Sequence, residues 1–298
     1  MGKANAKTAK KKEGVFRRSV CSPTRGMNRY TCYTDDTLKT MKKYWNARHP
    51  DVLIKAQTPR GIWTELRRHM SDVCDTERCW LRQHFMKDNI DAGLKNFTFA
   101  PSAPLSWKKK PDEWLTSLDI DRVMKQWEEK YKEYEFIGPS PIDFDTKMVN
   151  KECVWSELCD FDLSRTIKRG KKKIGVIFNL DPHYKSGSHW VAMYVDVAPR
   201  LIFYFDSNGD PAPSQVKTLS NRMIEQGKKI GIDLEFIQNH PTEHQRGDTE
   251  CGIYTLYVVT QLLTSKKTHK DFMGERIPDE KMLALRKEYF DHEELVKD

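Results

Sequence analysis

The sequence predicts an α+β fold for the larger, C-terminal part of the chain, preceded by a small helical domain. Three observations carry that reading. From Thr31 to about Ile90 the apolar residues recur at helical spacing. From Trp114 onward, helical and strand patterns mix without regular βα repetition. Charge divides the chain at nearly the same place. Residues 1–18 hold seven Lys or Arg against one acid and residues 19–110 hold 17 against nine, but residues 111–298 hold 27 against 33. The whole excess behind a formal net charge of +8 therefore lies before Pro111. Three parts follow: a basic tail over 1–18 with too few apolar residues to fold, a helical accessory domain with its linker over 19–110, and a core domain over 111–298.

In the accessory domain, Asp35, Asp36 and Thr37 offer caps for a helix that aligns Leu38, Met41 and Trp45 and ends at Pro50. A second helix aligns Ile62, Leu66 and Met70, and a third runs through ERCWLRQHFM. Phe97 to Lys110, with Pro101, Pro104 and three consecutive lysines, reads as linker. The core domain opens with an amphipathic helix over DIDRVMKQWEEKYKEY, with Asp119 as its cap. Strands are predicted at 174–180, 189–197, 201–205 and 234–238, with helices over 213–229, after Cys251, and over 280–289. The 189–197 run alternates Trp190, Ala192 and Tyr194 with Val191, Met193 and Val195, the pattern of a half-buried strand.

Composition excludes several classes. With 38% apolar and 32% charged residues the chain reads as a soluble globular protein, and no apolar run approaches the ~18 residues of a membrane span. The basic N-terminus is unlike a secretion signal. Seven cysteines, an odd number without export signals, predict reduced thiols in a cytosolic setting. His69, Cys74, Cys79 and His84 can be drawn as zinc ligands, but C-x4-C within a helical pattern is not a standard pairing. Buried thiols are expected there and at Cys153 and Cys159, with no metal and no cofactor required.

The chemistry concentrates in four side chains: His189, Asp206, Gln245 and Cys251. Cys251 stands where a polar, turn-prone loop meets the apolar helix that starts at Gly252-Ile253, and a helix N-terminus together with a nearby imidazolium favours a thiolate. His189, at a strand start, is placed to take the thiol proton and return it to a leaving amine. Asp206, at the end of the next strand, would orient that imidazole. The side-chain amide of Gln245 would join the Cys251 N–H in stabilising an oxyanion. His183, His240 and His244 lie nearby in loops, where solvated or structural roles are the ordinary ones.

This order of His189-Trp190, Asp206, Gln245 and Cys251-Gly252 resembles the adenovirus-protease clan, which includes the SUMO and ubiquitin-like-specific proteases. Within it, HWVAMYVD, FYFDSNGDPAP and HQRGDTECGIYTLY are similar to segments of the polyprotein-processing proteases of large DNA viruses, African swine fever virus among them. The likeness is dense from Trp114 onward, and CDTERC resembles part of an N-terminal arm domain. The African swine fever virus enzyme carries Asn where this chain has Asp206, a position at which Asp is common elsewhere in the clan.

The resemblance implies a papain-like, adenovirus-protease-like core, a central mixed sheet flanked by helices, with the helical domain as an arm. It implies a cysteine endopeptidase that cleaves after Gly-Gly-Xaa-type sites in viral structural polyproteins during virion maturation. Trp190 would then roof the substrate groove and favour glycine. The expected places are the host cytoplasm and the virion. The expected partners are those protein substrates and, through the basic N-terminal region, DNA or an acidic scaffold, with DNA also a candidate activator. Two alternatives remain: an isopeptidase that removes ubiquitin-like modifiers, and an inactive nucleic-acid-binding virion protein.

Overall fold

A computed structural model describes residues 16–25, 30–87, 91–149 and 151–296 of the chain. It divides into two compact units, one up to Phe99 and one from Ala100.

The first unit is helical: α1 (Asp35–Arg48), α2 (Pro59–Met70), α3 (Glu77–Trp80), α4 (His84–Lys87) and α5 (Ala92–Phe97). Leu38, Met41 and Trp45 of α1 meet Ile62, Leu66 and Met70 of α2 in one buried cluster, as their spacing predicts. The α1 cap is Thr34, not the three residues after it. Its backbone is extended and its hydroxyl accepts the Thr37 N–H at 3.1 Å. The expected third helix is two short turns, α3 and α4. Residues 1–15 of the expected basic tail lie outside the described residues. Residues 16–18 are not tail: the Phe16 ring packs edge-on against Trp63, and Arg17 pairs with Asp75.

The expectation of reduced thiols fails for six of the seven cysteines. Cys21–Cys32, Cys74–Cys79 and Cys153–Cys159 are disulfides, with Cα separations of 5.1, 5.5 and 6.3 Å, and Cys251 is the free thiol. Each of these pairs lies within the Cα span a disulfide bridges. Counting cysteines cannot register that geometry.

The second unit is built on a mixed sheet in the order β1 (Tyr134–Pro141), β2 (Lys173–Asn179), β3 (Trp190–Asp196), β4 (Leu201–Phe205) and β5 (Glu235–Gln238). β1 is parallel to β2, β2, β3 and β4 are antiparallel neighbours, and β5 is parallel to β4. The helices are α6 (Ser117–Lys130), α7 (Ser156–Cys159), α8 (Leu163–Lys168), α9 (Ser214–Lys229), α10 (Cys251–Leu263) and α11 (Asp279–Tyr289). Residues of α6, α10 and α11 pack with Trp190, Ala192 and Tyr194 in one cluster. Residues of α8 and α9 pack with Val191, Met193 and Val195 in another. β3 is therefore buried on both faces, not half-buried, because helices cover even the side that carries Tyr194.

Strand β1 escapes the sequence reading, which continues the opening helix to Tyr134. The helix stops at Lys130, and Tyr134 enters the sheet with its ring over Gly175, where a Cβ would collide with it. Asp119 is not the α6 cap but the partner of Thr116 in a reciprocal capping box. Residues 100–110, read from sequence as linker, belong to the second unit. The Ala103 N–H donates to the Asp291 carbonyl at 2.8 Å, and Trp107 packs against Phe290.

Candidate active site

The β3–β4 pairing fixes the first half of the site. Ala192 lies opposite Phe205, so the residues just before β3 and just after β4 emerge at the same end of the sheet. Those residues are His189 and Asp206. The His189 carbonyl accepts the Leu180 N–H at 2.9 Å, which holds the backbone in line with β3. His189 Nε2 donates to Asp206 Oδ1 at 2.7 Å, and the imidazole also hydrogen-bonds Cys251. With Nε2 engaged by Asp206, Nδ1 is the nitrogen left for the thiol. Burial pushes the His189 pKa down, but the Asp206 hydrogen bond, the Cys251 hydrogen bond and their negative charges outweigh it and raise it to about 10. The site thus favours a charged imidazole beside the sulfur.

Asn239 does for Asp206 what a further strand residue would. Its Oδ1 accepts the Asp206 N–H at 2.8 Å and its Nδ2 donates to the Asp206 carbonyl at 2.7 Å. The Asn208 N–H donates to Asp206 Oδ1 at 2.8 Å, closing the turn. Gly209 completes it at φ +76°, where an added Cβ would strike the backbone of Thr242 and Glu243.

The second half is a loop. Cys251 is the first residue of α10 and is only 1% exposed. Glu250 at the N-cap makes no side-chain bond to the helix, which leaves the first-turn N–H groups uncapped by it. Its carboxylate instead takes a two-pronged contact from Arg286 of α11, both side chains being 3% exposed. Arg286 also donates to the carbonyls of Asp112, Glu113 and Thr249, and its guanidinium stacks over Trp107. Asp279 Oδ2 accepts the N–H groups of Arg246 and Gly247, and the Tyr254 hydroxyl donates to the Ile277 carbonyl at 2.6 Å. Gln245 is buried here, its Nε2 donating to the Gly247 carbonyl at 2.6 Å.

Trp190 is buried, and its indole N–H donates to the Leu115 carbonyl at 3.0 Å. The Leu115 side chain in turn fills the space where Gly252 lacks a side chain. A cleft of about 640 Å³ opens beside Trp190, bordered by Trp114, Thr116, Pro139, Trp155 and His183.

All five residues singled out from sequence lie in this second unit, and a hydrogen-bonded chain joins Asp206, His189 and Cys251. The neighbouring histidines are occupied elsewhere. His240 Nδ1 donates to the Gly209 carbonyl, and His244 is fully buried between the Phe272 carbonyl and the Ile277 N–H. His183 pairs with Asp143 at the cleft. Among the described residues, no three His, Cys, Asp or Glu side chains are grouped to hold a metal ion. Sequence reasoning missed Asn239, Glu250, Asp279 and Arg286. Nothing local marks them: Asn239, Glu250 and Asp279 stand among other polar residues, and Arg286 reads as an ordinary helix charge.

The C-terminal catalytic domain of the Ulp1 protease family matches residues 113–298. A protein of Acanthamoeba polyphaga mimivirus named as a thiol protease is 26% identical, spanning 91% of this chain and 93% of its own. The SUMO-1 cysteine protease of African swine fever virus is 31% identical over 80% of this chain and 91% of its own. A crystal structure of an African swine fever virus protease aligns over 92% of this chain and 96% of that one, with a TM-score of 0.63 at 21% identity.

Proposed function

This chain belongs to the Ulp1 protease family and is a cysteine-type peptidase, and we propose that it is an endopeptidase cleaving after Gly-Gly-Xaa-type sites in structural polyproteins of a virus, with Cys251 as nucleophile. The observation that carries the reading is the 2.7 Å contact between His189 Nε2 and Asp206 Oδ1, with the same imidazole bonded to Cys251.

In this mechanism His189 holds the proton taken from Cys251. The sulfur attacks the scissile carbonyl, the C–S bond forms, and the carbonyl electron pair moves onto oxygen. The Cys251 N–H and the second N–H of Gln245 Nε2, the one not bonded to Gly247, receive that oxyanion. Collapse breaks the C–N bond, and the leaving amine takes the proton from His189. The oxygen of a water then attacks the thioester carbonyl as its proton passes to His189, the C–S bond breaks, and the acid leaves with the thiolate–imidazolium pair restored.

Trp190 supports the glycine preference. Its indole is tethered to the Leu115 carbonyl and lines the cleft, and in this reading a bulky substrate side chain would have no room beside it. The two relatives are viral proteins named as proteases, which supports a protein substrate and a viral setting; the polyprotein substrate and virion maturation are part of the proposal. The basic N-terminal region would retain the enzyme on DNA or an acidic scaffold, and retention that does not weaken between low and moderate salt would count against this.

The test is cleavage of Gly-Gly-Xaa peptides and of intact ubiquitin-like precursors by the wild type and Cys251→Ala, with and without DNA. Peptide cleavage that requires Cys251 supports the proposal. Cutting of the folded modifiers alone would make the enzyme a deconjugating peptidase. Cleavage that survives Cys251→Ala would overturn the assignment of the nucleophile.

A further inference from the structure

Directly after Asp206 comes a serine that no part of this mechanism uses. Ser207 is 1% exposed, and its hydroxyl lies 2.8 Å from Gln245 Oε1. The direction of that bond is fixed by chemistry. Gln245 contacts the Gly247 carbonyl through the other end of its amide, and a carbonyl only accepts. The NH₂ must therefore face Gly247, the oxygen must face Ser207, and the Ser207 hydroxyl must be the donor. The Ser207 carbonyl also accepts the backbone N–H groups of His244 and Gln245, each at 2.8 Å. Ser207 thus grips Gln245 by main chain and side chain together.

We propose that Ser207 is the positioning residue of the oxyanion amide: it fixes which end of the Gln245 carboxamide is presented toward Cys251. The inference rests on Gln245 being the oxyanion donor, as in the mechanism above. Without the serine hydroxyl, a flip of the carboxamide would set its oxygen against the Gly247 carbonyl and turn an acceptor toward the developing oxyanion. Ser207 sits between the residue that orients the imidazole and the residue that holds the oxyanion. The turn after β4 thereby ties both halves of the site to one strand end.

The test compares wild type, Ser207→Ala, Gln245→Ala and the double variant in two reactions. One is peptide hydrolysis, which passes through an oxyanion. The other is alkylation of Cys251 by iodoacetamide, which does not. Ser207→Ala is expected to lower kcat about 10- to 100-fold with KM within about twofold, and to leave the alkylation rate within about twofold. The double variant should be no slower than Gln245→Ala, since the clamp has nothing left to orient. Full hydrolysis by Ser207→Ala, losses that multiply in the double variant, or an alkylation rate that falls in step with kcat would each overturn the proposal. If the wild type cuts no peptide, the Gly-Gly-Xaa endopeptidase reading fails by itself. The clamp is then decided by the side-chain amide NMR signals of Gln245, which Ser207→Ala must shift if the clamp exists and leave in place if it does not.

Discussion

His189 and Asp206 stand at the ends of paired strands, whereas Gln245 and Cys251 sit on a loop and a helix start held by side chains from distant parts of the chain. The first pair is placed by the sheet itself: once β3 and β4 are in register, residues 189 and 206 must share an edge. The second pair depends on Arg286 and Tyr254, which bond through buried groups, and on Asp279, which accepts the more exposed N–H groups of Arg246 and Gly247. A site can therefore be rigid on one side by backbone periodicity and on the other by polar side chains. The two sides should fail differently when mutated.

Removing the reacting groups tests both halves at once. Cys251→Ala and His189→Ala should each reduce hydrolysis at least about a thousandfold, and Cys251→Ala should keep the unfolding midpoint in urea near that of the wild type. Residual activity within tenfold of wild type in either variant would remove that residue from the mechanism.

The loop half breaks next. Arg286→Ala leaves the Glu250 carboxylate buried without its partner and should destabilise the protein by about 3–5 kcal/mol in urea denaturation. On the strand half, Asn239→Ala strips the Asp206 backbone of two partners and should cost about 1–3 kcal/mol. A smaller loss for Arg286→Ala than for Asn239→Ala would reverse the comparison between the two halves.

His189 and His244 sharpen it further, because they carry opposite signs. Burial pushes the His244 pKa below 6.5; the Phe272 carbonyl opposes this and Arg276 reinforces it. The unfolded chain thus takes up a proton first as pH falls, so the contribution of His244 is full above pH 6.5 and is lost below it. His189 is raised, so its contribution is full below pH 6.5 and is lost as pH rises through about 10. Urea stability measured from pH 5 to 7 should rise with pH more steeply in the wild type than in His244→Asn. Equal slopes would show that His244 is not held neutral.

The same contrast explains what the sequence revealed. Helix faces such as Leu38, Met41 and Trp45, the β4 boundaries and the placing of His189 and Asp206 at strand ends could be read because periodicity and residue type mark them locally. Hidden from that reading were contacts made across long separations: Arg286 to Glu250, Asn239 to Asp206, and Tyr134 over Gly175. The cysteine pairs were hidden for a related reason, since spacing in the sequence does not show which backbones come within bridging distance. Helical covering of the sheet likewise turned an alternating strand into one buried on both sides.

The most direct test is an NMR titration of the His189 ring in the wild type and in Asp206→Ala. In the wild type the imidazole should remain protonated at pH 8, consistent with a pKa raised to about 10, and in Asp206→Ala it should lose its proton at a lower pH. A wild-type ring that titrates near 6.5, or one that ignores the loss of Asp206, would contradict the account of how this site holds its charge.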